Sequence, residues 1–184
     1  ALEALGRIRT VALDKTGTLT RNRPEVIDVA TCGGTTRADV LNVAAALEAR
    51  SEHPLAAAIL AAVDDYTPAE DVDAVPGAGL TGHVGGIPAR LGRPGWIDPG
   101  SLAADIERMQ HAGATAVLIE RDGTLIGAIA VRDELRPEAR DVVAGLRRDG
   151  YTVAMLTGDN ERTARALATD VGIDEVHADL RPED

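Results

Sequence analysis

Apolar residues first run together over residues 8–13, and their length and β-branching predict a buried strand that delivers Asp14 at its end. Asn22, Arg23 and Pro24 break the pattern and predict a hinge. Residues 26–31 alternate as a strand before a turn at Gly33-Gly34. Val40, Leu41, Ala44, Ala45 and Leu47 then recur at helical spacing over residues 37–49, with Thr36 as the N-cap. Ser51-Glu52-His53-Pro54 interrupts the pattern. A second helix is expected over 55–64, with Pro54 suited to its first turn.

Between Val72 and Leu91 the pattern shortens. β-like stretches at 80–84 and 89–91 alternate with glycines at 77, 79, 82, 85 and 86, as in a small antiparallel sheet. Ser101 is placed to cap a helix reaching His111. Residues 115–120 and 125–131 flank Asp122-Gly123, a dipeptide that favours hairpin turns. After Arg132 the period changes to a helix from Pro137 to Arg148, a buried strand over 151–156, a helix over 160–171 and a strand over 175–178. Strand–helix alternation of this kind implies a parallel, doubly wound α/β sheet. The expected organisation is a discontinuous α/β domain, residues 1–23 and 132–184, interrupted by a compact α+β insert with an antiparallel sheet, residues 24–131.

Composition narrows this picture. Apolar residues make up 45 % of the 184, yet aromatics are only 2 % and Phe is absent, so the core must be built from Ala, Val, Leu and Ile. A formal charge of −11 argues against nucleic acid, whose phosphates require clustered Lys and Arg. It leaves room for ATP, which amide dipoles, one lysine and Mg²⁺ can hold locally. Cys32 is the only cysteine, which excludes a disulfide framework and a CxxC metal site and fits a reducing, cytosolic setting. The longest apolar run, residues 54–63, is too short to span a bilayer. The chain begins without Met and stops after Arg181-Pro182-Glu183-Asp184, so it is expected to be a soluble portion of a larger protein.

The densest chemistry lies in Asp14-Lys15-Thr16-Gly17-Thr18-Leu19-Thr20. A carboxylate ending a strand sits at the carboxyl edge of an open sheet, where α/β proteins place their sites. Lys15 adds positive charge, and Gly17 permits a tight turn that lets amides and the Thr16, Thr18 and Thr20 hydroxyls face a phosphate. An Asp so placed can attack phosphorus and form an aspartyl phosphate. Rapid hydrolysis of that intermediate calls for a second acid two residues on, and Thr16 has none to offer. Thr157-Gly158-Asp159 follows a predicted strand and precedes a helix, repeating the geometry; the plainer role for Asp159 or Asn160 is a helix cap. Glu48 and His53 flank a helix–helix junction where a planar base can be stacked and its exocyclic amine bonded, and Gly77-Ala78-Gly79 can admit a nucleotide close to the backbone.

These residues carry a resemblance. The Asp14–Thr20 run looks like the phosphorylation motif of P-type ATPases, ion pumps of the haloacid-dehalogenase-like superfamily, and Thr157-Gly158-Asp159 resembles their TGD motif. Glu48, Ser51-Glu52-His53-Pro54 and Gly77-x-Gly79, in that order, resemble the nucleotide-binding domain of the heavy-metal (type IB) class. The resemblance implies a haloacid-dehalogenase-like (Rossmann-type) phosphorylation domain with Asp14 as the phosphorylated nucleophile. Lys15, Thr16, Thr157, Gly158 and Asp159 would surround it. Glu48 and His53 would contact adenine, Gly77 and Gly79 would line the nucleotide pocket, and Asp133 in Asp133-Glu134-Leu135-Arg136-Pro137, which is similar to the family's return hinge, would help position the nucleotide.

ATP and Mg²⁺ are the implied cofactors, with Asp14 and the Thr16 carbonyl as partial Mg²⁺ ligands. The implied partners are a heavy-metal ion carried through membrane helices and the actuator and membrane domains of the same parent. The family's GDGxNDxP loop, which supplies further Mg²⁺-binding aspartates, does not occur among the 184 residues, so the Mg²⁺ site and the phosphorylation sheet are expected to be incomplete. The wording of the chain looks most like the cobalt/zinc-type subgroup, with copper export as runner-up. Two further readings remain beside this one: a soluble phosphatase of the same superfamily, and a non-catalytic nucleotide-binding module.

Overall fold

The structure, a computed structural model, describes residues 9–180. Ile8, where the first predicted strand begins, and Arg181-Pro182-Glu183-Asp184 lie outside the described residues. The described chain forms two compact units, one of residues 9–22, 111–113 and 133–180, the other of 23–110 and 114–132.

The first unit is a parallel α/β sheet. Strand β1 (Thr10–Asp14) pairs in parallel with β8 (Thr152–Leu156), and β8 pairs in parallel with β9 (Glu175–His177), giving the order β1-β8-β9. Helices α4 (Ala139–Arg148) and α5 (Glu161–Val171) pack on β8 and β9 respectively. In α5 the buried positions Ala164, Leu167, Ala168 and Val171 repeat at helical spacing and meet Val143, Val153 and Met155 in one apolar cluster. Asn160 caps α5 by accepting from Thr163 N at 3.1 Å, and Gly172 ends it in the left-handed conformation. The expectation of a buried first strand is corrected. Among the described residues β1 is an edge strand, with Ala12 and Asp14 exposed and Val11 and Leu13 half-buried.

The second unit is built on a six-stranded sheet ordered β2-β7-β6-β5-β4-β3. Its strands are β2 (Thr20–Thr31), β3 (Glu70–Val75), β4 (Gly79–Val84), β5 (Ile87–Gly92), β6 (Thr115–Arg121) and β7 (Thr124–Leu135). Pairing from β3 to β7 is antiparallel throughout. Period-two alternation sends Val117, Ile119, Ile129 and Val131 to one face, where α1 (Arg37–Glu48) and α2 (Pro54–Ala61) cover them. Ala116, Leu118, Ala128 and Ala130 face the other way onto Ile106 and Met109 of α3 (Ala103–His111). Burial on both faces explains why β6 reads as a continuous apolar run.

Several expected boundaries move. β2 runs straight through Arg23 and Pro24; as an outer strand it has a side with no ladder partner, so the missing proline N–H is tolerated, and Asn22 absorbs the irregularity at φ 55°. β7 extends to Leu135, through the segment expected to leave the sheet at Arg132. α2 ends at Ala61, and α4 begins at Ala139 rather than at Pro137. Ser101 does not cap α3: it lies inside a 3-10 turn, Gly100–Leu102, that leads into the helix. The Thr36 cap is as expected, with Thr36 and Asp39 bonded reciprocally.

Two glycines give opposite predictions. A Cβ on Gly127 would lie 2.5 Å from Val40 and 2.7 Å from the Ala30 carbonyl, so Gly127→Ala is expected to cost about 1–3 kcal/mol by overpacking. Gly145 is inside α4, where an added Cβ meets only the end of Arg148 at 3.9 Å, and Gly145→Ala should stabilise by about 1 kcal/mol. Urea denaturation of both variants checks the pair; equal shifts would contradict this packing.

Candidate functional site

Parallel strands end their adjacent loops on the same side. Register pairs Asp14 with Leu156, so the turn over Lys15–Leu19 leaves the sheet next to Thr157-Gly158-Asp159. The first unit thus brings together Asp14, Lys15, Thr16, Thr157, Gly158 and Asp159. Asp14 is exposed at the strand end, and so is Thr16. Lys15 Nζ lies 2.5 Å from Asp159 Oδ2, with both side chains largely buried, at 14 % and 19 % exposure. Gly17 takes φ 77°, which closes the turn.

The Thr157 hydroxyl, itself buried, accepts from Asp159 N at 3.1 Å. Thr157 N donates to His177 O of β9, and Asp179 N donates to Asp159 O, so the loop is held from the neighbouring strand. Beyond it the capped start of α5 presents amide N–H groups and the positive end of the helix dipole.

Thr20 does not take the expected phosphate-facing place. It is fully buried, its Oγ1 accepts from Gly17 N at 3.2 Å, and it lies 2.5 Å from Asp133 Oδ2 and 3.1 Å from Lys15 O. One hydroxyl proton serves one acceptor, and the nearer, charged Asp133 takes it. Asp133 therefore sits in the first unit beside the Lys15–Leu19 turn. Arg136 ties the same turn down, its side chain donating to Gly17 O at 3.1 Å and its backbone N–H to Leu19 O at 2.9 Å.

Glu48, His53, Gly77 and Gly79 converge in the second unit, where they line a cavity of about 400 Å³. Pro54 occupies the first turn of α2, and His53 caps it by accepting from Leu55 N at 3.1 Å through Nδ1. That bond fixes Nδ1 as the acceptor and leaves Nε2 for other partners. A Cβ on Gly79 would come within 2.0 Å of the Leu91 carbonyl, so only glycine lets this turn press against β5. Glu48, at the end of α1, is 4 % exposed, and its Oε2 is buried with no hydrogen-bond partner among the described residues. Burial raises its carboxyl above the ordinary glutamate range, against the opposing pull of the Ser51 hydrogen bond.

The sequence marked one wall of this cavity and missed the other. Leu91, Gly92 and Arg93 from the end of β5, with Thr115 and Val117 of β6, complete the lining. Their only local signal was a Gly-Arg pair after a strand. Cys32 is half-buried and points its Sγ at Leu125 O. No group of three or more His, Cys, Asp or Glu suited to a metal occurs among the described residues. No helix among the described residues is long and apolar enough to cross a membrane.

Comparison with known proteins agrees with this geometry. The haloacid dehalogenase-like hydrolase family matches residues 8–184. The chain is 70 % identical over its full length to the probable cation-transporting ATPase G of Mycobacterium tuberculosis, and 44 % identical to a copper-exporting P-type ATPase of the same organism. It spans about a quarter of the length of these relatives, 24 % and 25 %. It also superposes on the crystal structure of a zinc-transporting PIB-type ATPase with a TM-score of 0.74 at 38 % identity, covering all of this chain and 31 % of that one. The region matched in these proteins is the catalytic phosphorylation and nucleotide-binding region of heavy-metal P-type ATPases.

The Glu48 carboxyl has a consequence for stability. In the unfolded chain it titrates at the ordinary glutamate value, and in the folded chain above it, so the folded chain holds the extra proton between the two. Stability therefore falls as pH rises through that interval, and the full penalty stands above the raised value. Glu48→Gln is expected to gain about 1 kcal/mol over the wild type near pH 8, with the gain fading towards pH 4. Urea melts across that range test it; a difference independent of pH would refute the assignment.

Proposed function

The chain belongs to the haloacid dehalogenase-like hydrolase family, and we propose that it is the ATP-binding and aspartyl-phosphorylation portion of a heavy-metal cation-transporting P-type ATPase. Residues 1–23 and 132–184 form the phosphorylation domain in this reading, and residues 24–131 the nucleotide-binding domain. One observation carries it: the β1–β8 register that sets the exposed Asp14 beside the Thr157-Gly158-Asp159 loop, with Lys15 and Asp159 in contact.

The division of labour follows from the two sites. In the second unit, ionised Glu48 accepts from the exocyclic amine of adenine, and His53 flanks the base. Gly77 and Gly79 let the nucleotide lie close to the backbone. In the first unit an Asp14 oxygen attacks the γ-phosphorus in line, the bond to the bridging oxygen breaks, and ADP leaves with that electron pair. Lys15, the Thr157 hydroxyl and the α5 N-terminus stabilise the transferring phosphoryl oxygens. Asp14 and the Thr16 carbonyl would hold Mg²⁺, which prefers one or two carboxylates plus substrate phosphates and water and supplies charge neutralisation at the phosphates. With Thr16 where a general acid/base would stand, water is not activated, and the aspartyl phosphate lasts long enough to drive a conformational change.

In the parent this phosphoenzyme would drive export of the metal across the membrane, with the region on the cytoplasmic face and the actuator and membrane domains as partners. The cargo we propose is of the cobalt/zinc class, with copper as the competing reading. Support for the pump reading comes from the 70 % identical cation-transporting relative and the zinc-transporting structure.

Asp14→Asn in the full-length parent should abolish acid-stable phosphoenzyme formed from γ-labelled ATP, while the 184-residue chain carrying the same change keeps its nucleotide affinity. Calorimetric titration should show that affinity weakened in His53→Gln and Glu48→Ala. Phosphoenzyme surviving in Asp14→Asn would sink the nucleophile assignment.

A further inference from the structure

The cavity of the second unit contains a cation that none of the motifs marked. Arg93 follows β5 directly, and its backbone is fixed at both ends: its N–H donates to Ala78 O at 3.0 Å, and its carbonyl accepts from Trp96 N and Ile97 N at 3.3 and 3.2 Å. Its Nε donates to Gly77 O at 2.6 Å, which draws the guanidinium onto the glycine turn. Among the described residues the two terminal nitrogens make no hydrogen bond or ion pair. The side chain is thus anchored by one nitrogen and presents the rest of a planar donor fork to whatever enters.

The remaining lining is ill suited to an anion. Glu48 adds negative charge when ionised, most other lining positions are apolar or glycine, and the chain as a whole carries −11. With His53 Nδ1 accepting from Leu55 N, Arg93 is the cationic side chain of this lining. An apolar cavity with a buried acceptor at Glu48 suits a planar base. It gives no favourable place to a polyphosphate unless Arg93 supplies one. Arg93 is tethered to Gly77, whose lack of a side chain lets phosphate oxygens reach both backbone amide and guanidinium.

We propose that Arg93 recognises the phosphate chain of a nucleotide seated in this cavity and grades affinity by the number of phosphates. The inference rests on the nucleotide-binding reading given above. It assigns to one side chain the choice of nucleoside polyphosphate over nucleoside, a choice that Glu48 and His53, which read the base, do not make.

Calorimetric titration of the 184-residue chain with adenosine, AMP, ADP and ATP, without added divalent cation, tests it. The wild type should bind with affinity rising along that series. In Arg93→Ala the affinity for ATP should fall about tenfold or more, while that for adenosine changes less than about twofold, which also shows that the cavity is still folded. The salt dependence of ATP binding should flatten in the same variant. Arg93→Lys, which keeps charge but loses the fork, should fall between. Equal losses for all four ligands, or an ATP-to-adenosine ratio unchanged in Arg93→Ala, overturn the proposal while leaving the nucleotide reading intact. No binding of any of them by the wild type overturns both.

Discussion

Five parallel residue pairs, from Thr10 with Thr152 to Asp14 with Leu156, join parts of the chain that are far apart in sequence, and Asp14 meets the Thr157-Gly158-Asp159 loop only where that ladder ends. Because side chains alternate across a strand, a slip of one residue would turn Asp14 to the opposite face and withdraw Lys15 from Asp159. The register is held by burial. Val153 and Met155 on β8 are fixed in the core against α4 and α5, while β1 contributes the half-buried Val11 and Leu13. Closing so long a chain segment is affordable because loop entropy grows only logarithmically with length, and the intervening residues fold on their own core.

That core shows how a chain without Phe can build a rigid sheet. Alanines at 116, 128 and 130 and Gly127 let helices approach closely, and β6 and β7 are covered on both faces. Trp96 takes a similar advantage of Gly92, where any Cβ would overlap its ring, and Arg90 stacks on that ring 5.1 Å from its centre while pairing with Glu120 through two nitrogens. The end of β5, which carries Gly92 and Arg93 into the cavity wall, is therefore braced by packing and by a bidentate ion pair.

Local chemistry was readable where it depends on few residues. Asp122-Gly123 forms its hairpin with both residues at positive φ, Thr36 caps α1, and the helical repeat of 164, 167, 168 and 171 faces a core. The motif residues likewise cluster as their types suggested. What escaped was set by position in the sheet. Pro24 reads as a break and 132–135 as a departure, and the two units divide at Asn22/Arg23 and Arg132/Asp133, yet the strands β2 and β7 run on through both places. Thr20 looked like one more hydroxyl for phosphate until the return of the chain placed Asp133 against it. Arg93 gives no local signal because the carbonyl that holds it, Gly77 O, lies sixteen residues away.

Satisfied and unsatisfied groups divide the molecule into two kinds of site. Around the Lys15–Leu19 turn almost every charge has a partner: Lys15 with Asp159, Asp133 with Thr20, Arg136 with Gly17 O. Removing one member of the Lys15–Asp159 pair would leave the other charge half-buried and uncompensated, so the pair holds the turn in shape beside the one exposed carboxylate, Asp14. The cavity of the second unit does the reverse. Glu48 Oε2 is buried without a partner, and the terminal nitrogens of Arg93 are unengaged among the described residues. Glu48 Oε2 is a buried polar atom left unpaired, which costs stability unless a ligand completes it, whereas the Arg93 nitrogens are exposed to water until a ligand displaces it. A base amine suits the buried acceptor and a phosphate the exposed donor fork, so acceptor and donor together describe a nucleotide better than either describes a ligand alone.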